Sequence, residues 1–281
     1  MKVKLAESCG FCFGVKRAIR LAENNSGAIV IGELIHNRRE IERLDKNFGV
    51  RSAESLDGIK RGDRAIIRTH GIEKEARAEL LAIAADVIDA TCPYVTKPQK
   101  IAESTSEEGY QTVIFGDKKH PEVKGVLSYA SKDAIVVANA GEIQGAALRD
   151  RVALISQTTK SIAAFGEVAA ALIAKTSELR VFNTICNATY DNQEATRKLA
   201  KEADIMIVIG GKNSSNTKQL HAIALQYCAD SYLIESGEEL RREWFADKRL
   251  CGISAGASTP DWIIEEATKA IGAFELLAGL D

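Results

Sequence analysis

Three cysteines share one local pattern, in which each stands between a stretch typical of a strand and a stretch typical of a helix. The stretch DATCPYVTK shows this best, because an apolar run ends before Cys92 and Pro93 stands where a helix would begin. Cys12, in VKLAESCGFCFGVKRAI, and Cys186, in ELRVFNTICNATYD, occupy the same kind of place. The repeat, at intervals of 80 and 94 residues, predicts three copies of one folding unit.

Each copy continues with a helix, an apolar strand ending in glycine, a strand leading into an acidic turn, and a further strand. The helices are predicted at Val15–Glu23, Val95–Glu108 and Ala195–Glu202. Alternating strands and helices are typical of βα units on a mainly parallel sheet. We therefore expect an α/β fold of three small lobes with pseudo-threefold symmetry. The lobes would span residues 1–91, 92–185 and 186–281, and the N-terminal strand could pair with the first lobe or the last.

Composition narrows the function classes. Hydrophobic residues make up 46% of the chain, which is ample for a core, and 37 Lys and Arg nearly balance 39 Asp and Glu. No long basic run supports nucleic-acid binding. The longest apolar stretch, SIAAFGEVAAALIAK, is interrupted by Glu167 and predicts a buried helix rather than a membrane span. Because no signal peptide opens the chain, we expect a cytoplasmic protein without membrane partners, whose six cysteines serve metal binding or catalysis rather than disulfides.

The predicted strand ends carry the distinctive polar residues. In open α/β sheets, sites form beyond the carboxyl ends of the strands. Three of the four histidines fall at such ends. The full set comprises His36, His70, His120, Gln157-Thr158-Thr159, Ser214-Ser215-Asn216 and Ala255-Gly256-Ala257-Ser258. Threefold symmetry would direct all of them at one central cavity.

The three repeated cysteines indicate a metal centre, because soft thiolates bind zinc or iron–sulfur clusters. A structural zinc site usually has four ligands at short local spacing, and no fourth symmetric cysteine exists here. Three thiolates on a 4Fe-4S cluster would leave one iron open to a substrate oxygen. Cys9 forms a CGFC pair with Cys12 but has no counterpart in the other copies, and Cys228 and Cys251 are expected in the core.

A phosphate site is the second expectation. Ser214, Ser215, Asn216 and Ser258 are short donors beside glycines at predicted helix starts, where backbone N–H groups and the helix dipole bind phosphate. Ordinary helix capping is the alternative. Histidines on the same rim could add donors, so a diphosphate is the candidate ligand. Neither a Walker A motif nor a GxGxxG fingerprint is present.

A proton donor is the third expectation. Glu122 follows His120 by two residues in KKHPEVKG, and a carboxyl in a closed apolar pocket keeps its proton near neutral pH. Thr158 could relay that proton or hold a substrate hydroxyl. The alternatives are a solvated loop carboxylate and a turn hydroxyl.

Together these stretches resemble a known family along essentially the whole chain. The motifs are GFCFGVKRAI, RTHGIEK, DATCPYVTK, HPEVKG, QTT, GGKNSSNT and AGASTPDW. They are similar, in the same order, to those of the 4-hydroxy-3-methylbut-2-enyl diphosphate reductases. These are iron–sulfur enzymes of the non-mevalonate isoprenoid pathway.

The resemblance implies that the three lobes surround a central 4Fe-4S cluster and substrate cavity. It implies reductive removal of an allylic hydroxyl, giving isopentenyl and dimethylallyl diphosphates, with electrons from a ferredoxin or flavodoxin. The residues implied are Cys12, Cys92 and Cys186 as cluster ligands, His36, His70, His120, Ser214, Ser215, Asn216 and Ser258 as substrate-binding residues, Glu122 as proton donor, and Thr158 at the substrate hydroxyl. It assigns no role to Cys9 or His221.

Two other functions stay open from the residues alone. A zinc-dependent hydrolase of a phosphorylated substrate would use cysteine and histidine ligands and work without a reductant. A non-enzymatic iron–sulfur sensor would need no diphosphate site.

Overall fold

The computed structural model describes residues 1–278, with side chains described as far as residue 274. The strands are β1 (Lys2–Leu5), β2 (Ile29–Ile31), β3 (Arg51–Ala53), β4 (Arg64–Ile67), β5 (Asp86–Asp89), β6 (Gln111–Phe115), β7 (Ile135–Val137), β8 (Arg151–Ser156), β9 (Glu178–Phe182), β10 (Ile205–Ile209), β11 (Ser231–Ile234) and β12 (Leu250–Ala255). The helices are α1 (Phe13–Glu23), α2 (Arg38–Phe48), α3 (Lys74–Ile83), α4 (Pro93–Glu107), α5 (Pro121–Leu127), α6 (Ile162–Ile173), α7 (Asn187–Ala200), α8 (Ser215–Tyr227) and α9 (Asp261–Ala278). This alternation confirms the predicted α/β class.

The strands of the described chain form three four-stranded sheets in which every pair is parallel. The strand orders are β3-β2-β4-β5, β7-β6-β8-β9 and β11-β10-β12-β1. In each sheet the first central strand lies between the next two strands of the chain, and a fourth strand pairs with the later of these two. β1 takes this fourth place in the last sheet. The threefold repeat predicted from the cysteines is therefore a repeat of sheet topology.

The N-terminal strand belongs to the last sheet. β1 pairs with β12, with Lys2 opposite Leu250 and Leu5 opposite Ile253. In the other two sheets the equivalent edge strands, β5 and β9, follow their neighbours along the chain. The structure thus decides between the two partners that the sequence left open for β1.

Contacts divide the chain into two compact units. The smaller unit contains residues 1–15, 36–40 and those from 187 onward, and it carries the β11-β10-β12-β1 sheet. The larger unit contains residues 16–35 and 41–186 and carries the other two sheets. The division into lobes at residues 91 and 185 stays a prediction.

The core of each unit forms around its central strands. β6 and β10 are buried along their whole length, as expected for parallel strands covered by helices on both faces. In the smaller unit Ile207 and Ile209 pack with Ile253 and Ile263. These buried strands fix where their carboxyl ends emerge, and the polar residues follow those ends.

Two sequence expectations about helices were wrong. α7 begins at Asn187, well before the predicted start at Ala195. Its first turns bury polar side chains, among them Thr189, Asn192 and Gln193, so hydrophobic periodicity does not reveal them.

α6 is a surface helix rather than a buried one. It buries only Phe165, Val168 and Leu172 and leaves Ile162 and Ile173 exposed. Alanines fill the stretch between these positions and raise its mean hydropathy without requiring burial. Within residues 1–278, no helix combines the length and apolar character that a membrane crossing needs.

Candidate active site

The three repeated cysteines are held in place by the same backbone hydrogen bond. Each follows an edge strand and donates its N–H to the residue two positions after the end of the neighbouring strand. The bonds run from Cys12 to the carbonyl of Ala257 (3.2 Å), from Cys92 to that of Thr69 (3.0 Å) and from Cys186 to that of Thr158 (2.9 Å). The predicted equivalence of the cysteines therefore extends to their hydrogen bonding.

The side chains of these three cysteines are half-buried, and all six cysteines within residues 1–278 lie outside disulfide bonds. Cys9 is also half-buried, whereas Cys228 and Cys251 are buried. Burial raises the pKa of the Cys9 and Cys228 thiols, and it raises that of Cys251 to about 12. Cys228 and Cys251 pack in the core of the smaller unit, as the sequence predicted, although Cys228 lies just after α8 rather than within it. A thiol whose pKa is raised by burial forms a thiolate less readily.

Arg17 supports the Cys92 turn and was missed by the sequence reasoning. Its guanidinium donates to the carbonyls of Asp89 (3.0 Å) and Thr91 (3.2 Å). The Asp89 carboxylate in turn accepts the Thr91 N–H at 2.9 Å. Arg17 lies inside the motif GFCFGVKRAI, which was the available signal, but its partners are more than 70 residues away.

In the larger unit, His120, Glu122 and Thr158 form what we call the acid site. Glu122 is 1% exposed. Its Oε1 accepts the Thr158 N–H at 2.7 Å, and its Oε2 accepts the Thr158 hydroxyl at 2.8 Å. Burial raises the pKa of Glu122 to about 7, although the two hydrogen bonds favour the carboxylate and limit the rise. The alternative of a solvated loop carboxylate is wrong, because this carboxyl is buried and can hold a proton near neutral pH.

The start of α5 explains how Glu122 reaches this position. His120 is the N-cap residue, and its Nδ1 accepts the Glu122 N–H at 3.2 Å. Pro121 occupies the first helical position, where a missing N–H costs nothing. Since Nδ1 is an acceptor, the neutral His120 ring carries its proton on Nε2.

His70 contacts the acid site through His120. The two imidazole rings meet edge to face, with centroids 5.3 Å apart and planes at 88°. Thr69, the acceptor for Cys92, donates its own hydroxyl to the Leu34 carbonyl at 2.8 Å. The structure thus connects His70, His120, Glu122 and Thr158 by successive contacts, as the sequence predicted for one rim.

In the smaller unit, a second set of predicted residues forms what we call the anion cradle. Ser214 is the N-cap of α8, and its hydroxyl accepts the Thr217 N–H at 3.3 Å. Asn216 is 4% exposed, yet neither its Oδ1 nor its Nδ2 has a hydrogen-bond partner among the described residues. A buried amide without partners is costly and is expected where a ligand completes the site. The members of the cradle are His36, Ser214, Ser215, Asn216 and Ser258.

Glycines bring the segments of the anion cradle together. A Cβ on Gly210, whose φ is +148°, would lie 2.7 Å from the hydroxyls of Thr217 and Thr259. A Cβ on Gly211 would lie 2.5 Å from the His36 carbonyl oxygen. Only glycine permits these approaches, so His36 and the loops after β10 and β12 are held against one another.

The predicted site residues are thus distributed over both units. Cys12 and the anion cradle belong to the smaller unit, and Cys92, Cys186, His70 and the acid site belong to the larger one. Their union in one cavity stays a prediction. Parallel sheets with a buried acid, half-buried cysteines and an unsatisfied polar cradle at the strand ends define an α/β enzyme of the kind that acts on small anionic molecules.

Comparison with known proteins narrows this class. The family model described as LytB protein matches residues 3–272. The chain is 58% identical over 275 residues to the 4-hydroxy-3-methylbut-2-enyl diphosphate reductase of Wolinella succinogenes, covering 98% of this chain and all of the relative. It is 60% identical over 271 residues to the enzyme of the same name from Campylobacter concisus, covering 96% of this chain and 99% of the relative. The chain therefore belongs to the LytB protein family.

Solved structures agree. One, of (E)-4-hydroxy-3-methyl-but-2-enyl diphosphate reductase, is 42% identical, with a TM-score of 0.71, and covers 96% of this chain and 99% of its own. Another, the E-1-hydroxy-2-methyl-but-2-enyl-4-diphosphate reductase from Plasmodium falciparum, is 25% identical, with a TM-score of 0.88, and covers 96% of this chain and 87% of its own. The chain is accordingly an oxidoreductase, a reductase of the non-mevalonate pathway, and the enzyme class predicted from the sequence is confirmed.

Proposed function

We propose that this chain converts (E)-4-hydroxy-3-methylbut-2-enyl diphosphate into isopentenyl and dimethylallyl diphosphates. The allylic C–O bond breaks, and the hydroxyl leaves as water with one proton. Two electrons from an external donor and a second proton form the new C–H bond. That bond forms at the former hydroxyl-bearing carbon for the dimethylallyl product, and at the other end of the allyl unit for the isopentenyl product.

The observation that carries this proposal is the buried Glu122 carboxyl. Both of its oxygens contact Thr158, and its pKa of about 7 allows it to hold a proton at neutral pH. Dehydroxylation needs a proton for the leaving oxygen, and a carboxyl with a pKa near the working pH is an efficient donor. Thr158 would contact the substrate hydroxyl and fix the direction in which Glu122 presents its proton.

Three cysteines fit an iron–sulfur cluster. Cys12, Cys92 and Cys186 are half-buried, are held by the same backbone hydrogen bond, and supply the soft thiolates that such clusters need. We propose that they hold a 4Fe-4S cluster, which when bound would supply electrons and Lewis acidity at the site. A ferredoxin or flavodoxin would be the electron donor.

The anion cradle would bind the diphosphate. The amide of Asn216, which is buried and has no hydrogen-bond partner in the part of the chain that the structure describes, offers one donor group, and the hydroxyls of Ser215 and Ser258 and the start of α8 offer more. His36 and His70 would add ring N–H donors. His120, with its proton on Nε2, would donate to the substrate from the acid site.

The test begins with anaerobic absorbance and with iron and sulfide analysis of the purified protein, followed by turnover with a reduced low-potential donor. About four irons per chain are expected for one 4Fe-4S cluster. Cys92→Ser should lose the iron, whereas the matched variant Cys251→Ser should keep it. A Cys92→Ser protein with full iron content would refute the ligand assignment.

The zinc hydrolase and the iron–sulfur sensor are less well supported than this proposal. A zinc hydrolase needs no reductant, and every relative named above is a reductase. A sensor without catalysis would need neither a buried acid nor an anion cradle. A colourless protein that retains zinc after anaerobic reconstitution would return the hydrolase to first place.

A further inference from the structure

A groove of about 750 Å³ in the larger unit lies against the Cys92 turn. Thr91 and Pro93, the two neighbours of Cys92 in the chain, both line it. Its other polar lining includes Arg17, Lys97 and Lys100. The groove therefore borders the Cys92 turn.

The groove is basic in a chain whose formal net charge is −2. Among residues 1–274, three cationic side chains and one carboxylate, that of Asp89, line it. Asp89 is itself engaged, because it accepts the Thr91 N–H and lies 3.7 Å from the Arg77 guanidinium. The lining therefore keeps an excess of positive charge.

The lysines are arranged for a large partner. Lys97 and Lys100 are three residues apart on α4, so they share one face of the helix, and both are exposed. Tyr94, on the same helix, is 39% exposed. Exposed charges of one sign steer the approach of a protein of the opposite sign and raise its association rate, so this face suits an acidic protein.

We infer that this groove is the docking surface for an acidic electron-carrier protein, an inference that rests on the proposed function. Each docking event would oxidise the carrier by one electron, and two events would supply the pair that the dehydroxylation consumes. The location suits this role because electrons delivered at Thr91 or Pro93 are one residue from Cys92, a proposed cluster ligand. Charge complementarity selects a protein with an acidic face.

The test compares two charge reversals of equal size in the reconstituted holoenzyme. The first variant is Lys97→Glu with Lys100→Glu. The matched control is Lys60→Glu with Lys132→Glu, two exposed lysines that precede β4 and β7 and so lie at the opposite, amino ends of the strands. The probes are a bacterial ferredoxin of strongly negative net charge and methyl viologen, a small cationic reductant that needs no basic docking surface.

The groove variant should bind ferredoxin at least about tenfold more weakly than wild type by calorimetry, since like charges would face each other. Its ferredoxin-driven turnover at low carrier concentration should fall by a similar factor, while viologen-driven turnover stays unchanged. The control variant should match wild type with both donors. The affinity difference should shrink at high salt.

Wild-type ferredoxin affinity in the groove variant would overturn the inference, as would an equal loss in the control variant. If the variant fails to fold, amine labelling of the wild-type holoenzyme decides. Bound ferredoxin should protect Lys97 and Lys100 but not Lys60, and no protection would overturn the inference. Failure of the proposed function would be seen separately, as a wild-type protein without viologen-driven turnover.

Discussion

The acid site and the anion cradle share one backbone arrangement, but they differ in whether the polar side chain that follows it has hydrogen-bond partners. In both, a glycine follows a central strand, Gly116 after β6 and Gly210 after β10, and donates its N–H to the end of the adjacent edge strand. In both, the helix N-cap follows four residues after that glycine, as His120 and Ser214. A third copy varies this, because Asn37 rather than His36 caps α2.

The difference lies in the residues after the cap. Pro-Glu after His120 places a carboxyl whose two oxygens are both satisfied by Thr158. Ser-Asn after Ser214 places an amide whose two polar atoms have no partner in the described chain. One copy is complete before any ligand arrives, and the other is incomplete without one. A repeated turn can thus hold a fully hydrogen-bonded carboxyl in one copy and an unsatisfied amide in another, which we propose as proton donor and binding site.

The largest expected effect comes from replacing Glu122, the carboxyl of the acid site, by a side chain that is not an acid. Glu122→Gln should lower turnover by about 10² to 10⁴-fold, the usual contribution of a general acid. Folding and cluster content should be unchanged, because glutamine can make both contacts with Thr158. Steady-state kinetics with iron analysis checks this, and Glu107→Gln, an exposed glutamate, is the matched control. Normal turnover by Glu122→Gln would remove the acid site from the mechanism.

The pH dependence of turnover should follow the same group. A proton donor works only while protonated, and burial raises the pKa of Glu122 to about 7. Turnover should therefore be high below that pH and fall about tenfold per unit above it. The Glu122→Gln variant should lack this fall. The ¹³C shift of the Glu122 carboxyl should titrate over the same interval, and a carboxylate already ionised at pH 5 would contradict the prediction.

In the anion cradle, replacing Asn216 should lower the affinity for substrate without lowering the stability of the fold. Asn216→Ala removes a buried amide that has no hydrogen-bond partner among residues 1–274, so the melting temperature of the variant should equal or exceed that of wild type. Substrate affinity should fall about tenfold, the value of one hydrogen bond to a charged ligand. Calorimetric titration with the diphosphate product alongside thermal melts separates the two. A destabilised variant with intact affinity would show that the amide serves the fold.

The smallest expected effect distinguishes two roles of Ser214, capping of α8 and binding of the diphosphate. Ser214→Ala removes the hydroxyl that accepts the Thr217 N–H and should lower the free energy of unfolding by about 1 kcal/mol. Ser214→Asp restores a capping oxygen and should recover that stability, yet its charge should repel a diphosphate. Denaturant titration measures the first effect and binding the second. If Ser214→Asp binds the diphosphate as well as wild type, the α8 start is only a cap.

Much of this arrangement was accessible from the sequence because the repeat is local. A cysteine between a strand and a helix, or serines before a helix, can be recognised within ten residues. Contacts between distant residues were not accessible. The pairing of β1 with β12, the Arg17 contacts with the Cys92 turn and the burial of Glu122 each depend on residues 36 or more positions away. Buried polar residues in α7 and exposed alanines in α6 also defeat hydrophobic patterning.

The pairing of β1 with β12 has a consequence for the order of assembly. The ribosome makes Cys12 first among the three repeated cysteines, yet its N–H finds the Ala257 carbonyl only after nearly the whole chain has been synthesised. Cys92 and Cys186 can form their turns with residues already made before them. The earliest cysteine to be synthesised is therefore the last whose turn can form its backbone hydrogen bond, so the first and last parts of the sequence must both be present before all three turns are complete.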